Sequence, residues 1–242
     1  MKTKHQTVLT AGQMRELICA VQEGIPTNIE ANVAQYWIGR KKKLAAEIKK
    51  ILVGMNLYAD LIADWQSFYH DLFGIEVEND FSNLVIPEKR GGFDRLLVVV
   101  NGMNPQRLYG KCAELFKVWK WTEKNLDEIV TSDRSAKNGA YAIWVRNQVE
   151  ADEELKNLSA NQIKAHGIPG ITLEERFIYE LKYFKETGNH LDIQNWTLCS
   201  GSRYGDGRVP CVRWDPDYGG LDVDWCAPGF RDDRLRARQA VS

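Results

Sequence analysis

Residues 196–226 read WTLCSGSRYGDGRVPCVRWDPDYGGLDVDWC, and the tract continues to Ser242 without a single Lys or Glu. Lys and Glu are strong helix formers, so their absence beside many Gly, Pro and Asp residues argues against a helix. The pattern instead predicts short strands over residues 196–199, 209–214 and 221–225. Turns at residues 205–207 and 217–220 would join them into an antiparallel β-meander.

Upstream of this tract, the first 74 residues have the periodicity of helices. The apolar spacing predicts three helices, over residues 11–23, 28–53 and 57–73. Thr10 is a suitable N-cap for the first helix, and Gly24 would end it. We expect Gly39 to break the second helix and Gly74 to end the third.

The middle of the chain mixes both periodicities. Strands are predicted over residues 95–100, 118–122 and 140–145, and helices over residues 104–116, 125–130, 150–157, 159–167 and 173–187. Thr172 and Glu175 form a capping box for the last helix, and its apolar stripe predicts a single inward face. We therefore predict an α+β fold, in which a helical region (1–74) packs on an α+β domain (75–242) that ends in the meander.

Composition excludes several classes of protein. The net charge is −1, so the chain as a whole has no pull toward nucleic acid or an anionic membrane. Residues 1–56, however, hold nine Lys or Arg against four Asp or Glu. No stretch approaches the ~18 apolar residues of a membrane span. Five cysteines, an odd number without close spacing, favour free thiols in a reducing compartment, and we expect a cytoplasmic protein.

Part of the chain resembles a known group of proteins. The stretches that carry the resemblance are GAYAIWVR (139–146), VEADEEL (149–155), GITLEER (170–176) and NWTLCSGSRY (195–204). Over about residues 90–242 the chain resembles a family of uncharacterised bacterial proteins from small-genome lineages. The resemblance implies a bacterial cytoplasmic setting, and it carries no activity, ligand or catalytic residue. It does not extend to the first 75 residues.

Two sets of residues suggest catalysis or metal binding. His190, Cys199, Cys211 and Cys226 are nitrogen and sulfur ligands of the kind zinc prefers, although no two have the close spacing of a zinc knuckle. His190 and Asp192 also lie near a possible nucleophile, Cys199 or Ser200, and a hydrolase or transferase centred on His190, Asp192 and Cys199 is the alternative function. The alternative for the cysteines is that they are small buried hydrophobic residues.

Two further patterns in the tail have functional and structural interpretations. Residues 201–208 (GSRYGDGR) are Gly-rich and carry two Arg, but they lack the Lys-Ser/Thr ending of a phosphate-binding loop. Asp215, Asp217, Asp222 and Asp224 flank a predicted hairpin and could bind a cation. Turn formation and pairing of Arg with Asp across strands explain these carboxylates more simply.

Nucleic-acid binding is the functional hypothesis with the most support. The basic run in the second helix comprises Arg40, Lys41, Lys42 and Lys43, which could contact phosphates. The tail adds guanidinium and aromatic groups that could grip phosphates and stack on bases, namely Arg203, Arg208, Arg213, Trp214 and Trp225. We favour a non-enzymatic cytoplasmic binding protein that needs no cofactor. Its partner would be a protein, nucleic acid or a second copy of the chain, and not a membrane.

Overall fold

The computed structural model describes residues 10–54, 58–77, 81–82 and 84–242. The chain divides into two compact units, Met1–Leu57 and Tyr58–Ser242, which are called here the N-terminal unit and the C-terminal unit. The fold is α+β, as predicted: helices dominate the first part of the chain, and most strands lie in the last part.

The N-terminal unit is helical. It contains α1 (Ala11–Glu23), α2 (Ala31–Ile38) and α3 (Lys41–Gly54). Thr10 caps α1 as predicted, since its hydroxyl accepts a hydrogen bond from the Gln13 amide and the Gln13 side chain accepts one from the Thr10 amide. The helix predicted over residues 28–53 is interrupted at Gly39 and Arg40, so that two shorter helices take its place.

The apolar faces of α1 and α2 are open to solvent. No side chain in either helix is buried. Met14, Ile18, Val33, Tyr36 and Ile38 remain between 41% and 56% exposed. In the described residues of α1 and α2, the helical periodicity is therefore present without the buried interior that such a stripe normally serves.

The C-terminal unit begins with α4 (Ala59–Phe73). This helix ends at Gly74, which adopts the left-handed conformation (φ 63°) that favours glycine. Its predicted start at Leu57 lies outside the described residues. In chain order there follow β1 (Arg95–Val99), α5 (Pro105–Leu115), β2 (Lys117–Lys120), α6 (Leu126–Ile129), β3 (Val130–Ser132), β4 (Tyr141–Val145), α7 (Ala160–Ala165), α8 (Leu173–Thr187), β5 (Trp196–Leu198), β6 (Ser202–Tyr204), β7 (Val209–Asp215), β8 (Gly220–Cys226) and β9 (Leu235–Ala237).

The predicted meander forms the centre of a five-stranded sheet of order β2-β8-β7-β5-β9. The central strands β5, β7 and β8 are antiparallel, which confirms the prediction for this tract. The edge strands β2 and β9 pair in parallel with β8 and β5, so the sheet as a whole is mixed. Strand β6 leaves this sheet and pairs with β3, while β1 pairs with β4.

Helix α4 belongs to the core of the C-terminal unit. Its Trp65, Phe68 and Tyr69 are at most 1% exposed, and the Tyr69 hydroxyl donates to the carbonyl of Val98 on β1. The division between units therefore falls at residues 57 and 58, before this helix, whereas the sequence placed a domain boundary after residue 74. Some residues between α4 and β1 lie outside the described ranges.

Helix α8 runs through the middle of the core. The predicted stripe includes Leu173, Phe177 and Leu181, which are fully buried. Burial is not confined to one face, because all ten residues from Leu173 to Lys182 are buried. The charged side chains among them must therefore find partners inside the protein.

The acidic stretch 150–157 is not the helix that its composition predicts. Only a single 3₁₀ turn, Glu153–Leu155, forms there. The amide of Asp152 donates to the carbonyl of Ala237 on β9, and its carboxylate accepts from the amide of Gln239 and from Arg146. These long-range bonds hold the backbone extended, and they outweigh the helix propensity of the glutamates.

Within the described ranges, no helix combines the length and the apolar character needed to span a membrane.

Candidate functional site

The basic run of the N-terminal unit lies at the junction of α2 and α3, and all four of its side chains are exposed. The Arg40 guanidinium lies 4.0 Å from the centre of the Tyr36 ring, and Lys43 Nζ lies 3.5 Å from the Tyr36 hydroxyl. In the part of the chain that the structure describes, no carboxylate forms an ion pair with Arg40, Lys41, Lys42 or Lys43.

The tail arginines differ from this run because most of their charge is paired inside the fold. The Arg208 guanidinium is stacked between Trp121 and Trp225, 4.2 and 4.1 Å from the two ring centres. It also binds the carboxylate of Asp206 at 2.6 Å. Trp225 keeps 40% of its surface exposed, but the guanidinium between the rings already has its anionic partner.

Arg213 is likewise neutralised. It forms ion pairs with Asp215 and with Asp222, the residue directly opposite it on β8. Pairing of Arg with Asp across strands was the simpler explanation of these carboxylates, and the structure confirms it for Asp222, whereas Asp215 lies on the same strand as Arg213. Asp215 also accepts from the amides of Asp217 and Tyr218, as a turn-forming Asp does. No group of three carboxylate, thiol or imidazole side chains suited to a metal ion occurs within the described residues.

The predicted catalytic residues His190, Asp192 and Cys199 lie in or beside the core, and no hydrogen bond joins His190 to Cys199 among the described residues, which argues against that alternative. Cys199 is fully buried, and burial raises the pKa of its thiol, so the reactive thiolate is disfavoured. Asp192 is also fully buried and accepts from two arginines. His190 binds the Glu180 carboxylate through Nδ1 at 2.8 Å and stacks on Trp214. These contacts hold the core together.

The predicted zinc set is also incorrect. Cys211 and Cys226 do meet, with their Sγ atoms 3.2 Å apart on neighbouring strands. The Cys199 thiol instead points to the carbonyl of Thr197, and His190 is held by Glu180. Two thiols alone do not complete the four ligands of a structural zinc site. The interpretation of these cysteines as small buried residues accounts for their positions.

Two cavities lie beside the short ladder of β3 and β6. The first cavity, of about 480 Å³, lies between the β1–α5 connection and β3 and is lined by Ser132 and Glu174 among others. The Leu173 amide donates to the Ser202 hydroxyl. Ser202 and Ser132 share a hydrogen bond of 2.7 Å, and Ser132 donates to Glu174 Oε2 at 2.7 Å. This chain of hydroxyls ends on a carboxyl group at the cavity wall.

Glu174 is only 6% exposed, and desolvation raises the pKa of its carboxyl group despite the hydrogen bond from Ser132. The hydroxyl of Tyr141 is also buried, and it lies near the carboxylates of Glu174 and Glu175. Burial and neighbouring carboxylates raise the pKa of this phenol. The Glu174 carboxyl group can hold or release a proton at the cavity. No activated nucleophile of the Ser-His type accompanies it among the described residues.

The second cavity, of about 290 Å³, lies between the segment 163–170 and residues at β3 and β6. Its polar lining comes from Asp133, Lys164, Ser200 and Arg203, and Gly170 forms part of its wall. Of Arg203, Arg208 and Arg213, only Arg203 has no ion pair within the described chain, since its Nη1 binds the carbonyls of Ser200 and Ser202. The Gly-rich segment 201–208 thus contributes to a cavity, although its spacing does not match a phosphate-binding loop.

No model of a protein family, no characterised protein and no solved structure matches this chain. The resemblance of residues 90–242 to a bacterial family therefore stays a prediction.

Proposed function

We propose that this chain is a non-enzymatic binding protein whose N-terminal unit contacts the phosphates of nucleic acid through Arg40, Lys41, Lys42 and Lys43. The observation that supports this proposal is that none of these four exposed cations forms an ion pair with a described residue. Exposed cations that are not paired within a protein can displace the counterions of a polyanion, and this release drives binding.

The position of the run strengthens the local field. Lys41, Lys42 and Lys43 are the first three residues of α3, and the first turn of that helix contains no acidic residue. Because the N-terminus of a helix carries a partial positive charge, three lysines there are unfavourable for the isolated helix and favourable beside an anion. Tyr36, which is 42% exposed beneath Arg40, supplies an aromatic face that could stack on a base.

The tail contributes less to the proposed surface than its composition suggests. Arg208 and Arg213 are neutralised by aspartates, and Trp214 is stacked against His190. Breaking these pairs to bind phosphate would leave aspartates without their partners, which opposes binding. We therefore assign the phosphate contacts to the basic run, and the exposed apolar residues of α1 and α2 remain suited to a protein partner.

The salt dependence of binding to a labelled DNA duplex tests this proposal. In the test variant all four basic residues become Gln, a residue that preserves helix propensity while it removes the charge. The matched control removes the same charge from exposed cations elsewhere, by Lys89→Gln, Arg90→Gln, Lys124→Gln and Lys156→Gln. Fluorescence anisotropy at a series of salt concentrations gives the slope of log affinity against log salt.

Each phosphate contact contributes about −0.9 to that slope on duplex DNA, so loss of four contacts should flatten it by about 3.6. The control should bind with nearly the wild-type slope. Equal affinity and slope for the test variant and the wild type would refute the proposal. Wild-type protein that does not bind DNA at low salt would also refute it, and would leave a protein partner as the better explanation of the exposed helices.

A further inference from the structure

The second cavity beside the β3–β6 ladder contains a buried polar atom without a partner. Ser200 is 8% exposed, and its Oγ accepts or donates no hydrogen bond to any described residue. Burying a hydroxyl without a partner costs free energy, so such atoms are rare in folded proteins unless a ligand or solvent completes them. Since Ser200 lines the cavity, its hydroxyl is available to a molecule bound there.

Two glycines allow the hydroxyl to occupy this position. A Cβ on Gly170 would lie 1.8 Å from Ser200 Oγ, and a Cβ on Gly201 would lie 2.6 Å from the carbonyl oxygen of Gly170. Neither position can therefore carry a larger side chain without displacing its neighbour. The close approach of the two backbone segments brings the Ser200 hydroxyl against the cavity wall.

The charges that face the cavity are unequal. Arg203 and Lys164 are cations, and Asp133 is the one carboxylate in its described lining. Only Nη1 of Arg203 is engaged, by two backbone carbonyls at 2.8 and 2.7 Å, which fix the guanidinium and leave Nε and Nη2 without a partner among the described residues. Burial lowers the pKa of the Arg203 guanidinium. The charge of Asp133 raises this pKa in part, although the two side chains form no ion pair.

We propose that the Ser200–Arg203 cavity binds an oxyanion group, a phosphate or a carboxylate, through the Ser200 hydroxyl, the Arg203 guanidinium and the Lys164 ammonium. A guanidinium held in a fixed plane presents paired donors that match the oxygens of both groups. The volume of about 290 Å³ is at the small end for ligand sites, so the ligand is a small molecule or the end of a larger one. This site is independent of the basic run in the N-terminal unit.

Inorganic phosphate and sodium acetate are the probes for the two sources of the oxyanion. Each is titrated into ¹⁵N-labelled full-length protein at constant ionic strength, with sodium chloride as the reference salt. We expect saturable shifts of the amides of Gly170, Ser200 and Gly201, with a dissociation constant in the millimolar range. Tighter binding of phosphate would indicate a phosphate ester as the ligand, and tighter binding of acetate would indicate a carboxylate.

Ser200→Ala is the decisive variant. Because the hydroxyl has no partner among the described residues, its removal breaks no internal contact there, and the variant should melt at or above the wild-type temperature. A hydrogen bond to a charged group is worth enough that its loss should weaken phosphate binding about tenfold. Lys164→Gln should weaken binding several-fold, whereas Lys156→Gln, an exposed lysine outside the cavity, should leave it unchanged.

Three results would overturn the proposal. The first is that chloride shifts the same amides as phosphate and acetate do. The second is that Ser200→Ala keeps the wild-type dissociation constant for both anions. The third is that neither anion shifts these amides in the wild type. Loss of DNA binding by the variant of the basic run would affect none of these measurements, so the two proposals fail separately.

Discussion

Replacing Asp192 with Asn tests whether this residue stabilises the core or serves a catalytic role. Asp192 Oδ1 accepts from Arg238 Nη2 at 2.7 Å, and Oδ2 accepts from Arg176 Nε at 2.9 Å and from the Thr197 hydroxyl at 2.5 Å. Arg176 also binds Glu180 at 2.8 Å. All of these side chains are at most 1% exposed. The charges of the Arg176 and Arg238 guanidiniums are therefore balanced by the Glu180 and Asp192 carboxylates in a region that water does not reach.

The substitution Asp192→Asn keeps the shape of the side chain but removes its charge. Asp192 has a positive φ of 56°, a conformation that Asn tolerates as well as Asp does, so the exchange adds no backbone strain. Whichever way the new amide is oriented, its NH₂ group faces a guanidinium donor, because both carboxylate oxygens accept from arginines. The core is left with one positive charge in excess.

The expected cost follows from these contacts. Removal of one partner from a buried ion pair typically destabilises a protein by about 3–5 kcal/mol. Because Asn retains one acceptor oxygen and Arg176 retains Glu180, we expect a loss of about 3 kcal/mol in the free energy of unfolding. With a urea dependence of about 2–3 kcal/mol per molar, the unfolding midpoint should fall by about 1 M.

Equilibrium unfolding in urea, followed by tryptophan fluorescence, measures this change. Asp217→Asn is the matched control, since Asp217 is exposed and its replacement should change the stability by less than about 0.5 kcal/mol. A loss of the same small size for Asp192→Asn would show that the carboxylate does not hold the network together. A gain in stability would argue for a functional role, because active-site residues often reduce the stability of their own fold.

Two further predictions concern other groups. Glu174→Gln should stabilise the protein at neutral pH and have little effect near pH 4.5 and below. Burial raises the pKa of the Glu174 carboxyl group in the folded protein, so the wild type loses stability as the pH rises through this raised pKa. Urea unfolding at several pH values measures the difference, and a stability gain that is greatest in acid would contradict the prediction. Ellman's reagent should find one fast-reacting thiol in the native protein, Cys19, because the other four cysteines are buried. Cys19→Ser should abolish this fast phase. A fast-reacting thiol that remains in the variant would show that the core opens.

The elements that could be predicted from sequence are those whose ends are set by local chemistry. Thr10 and Thr172 form capping boxes with the residue three positions later, and Gly74 and Gly188 end their helices in left-handed conformations. The strands of the meander were also predictable, because they alternate with turns of recognisable composition. In each case the decisive interactions lie within a few residues of one another in the chain.

Long-range interactions explain what the sequence did not predict. The acidic stretch 150–157 looked helical because nothing in it reveals that Asp152 bonds to β9 and to Arg146. Burial of α8 on all sides was equally hidden, since the charges of Arg176 and Glu180 suggest a solvated face until their buried partners are known. The hydroxyl chain to Glu174 joins residues from β3, β6 and α8, and no spacing within one segment could have indicated it.

The same distinction separates the charged groups that could bind a ligand from those that stabilise the fold. Sequence placed Arg203, Arg208 and Arg213 together as equivalent members of one surface. In the structure Arg208 and Arg213 are bound to aspartates, while Arg203 is held only by carbonyls and faces a cavity with an unpartnered hydroxyl. A cation whose counter-ion is already in the protein must lose that partner before it binds an anion, whereas Arg203 and the basic run need lose none among the described residues. The absence of such a partner, which composition cannot reveal, is therefore the property that identifies both proposed sites.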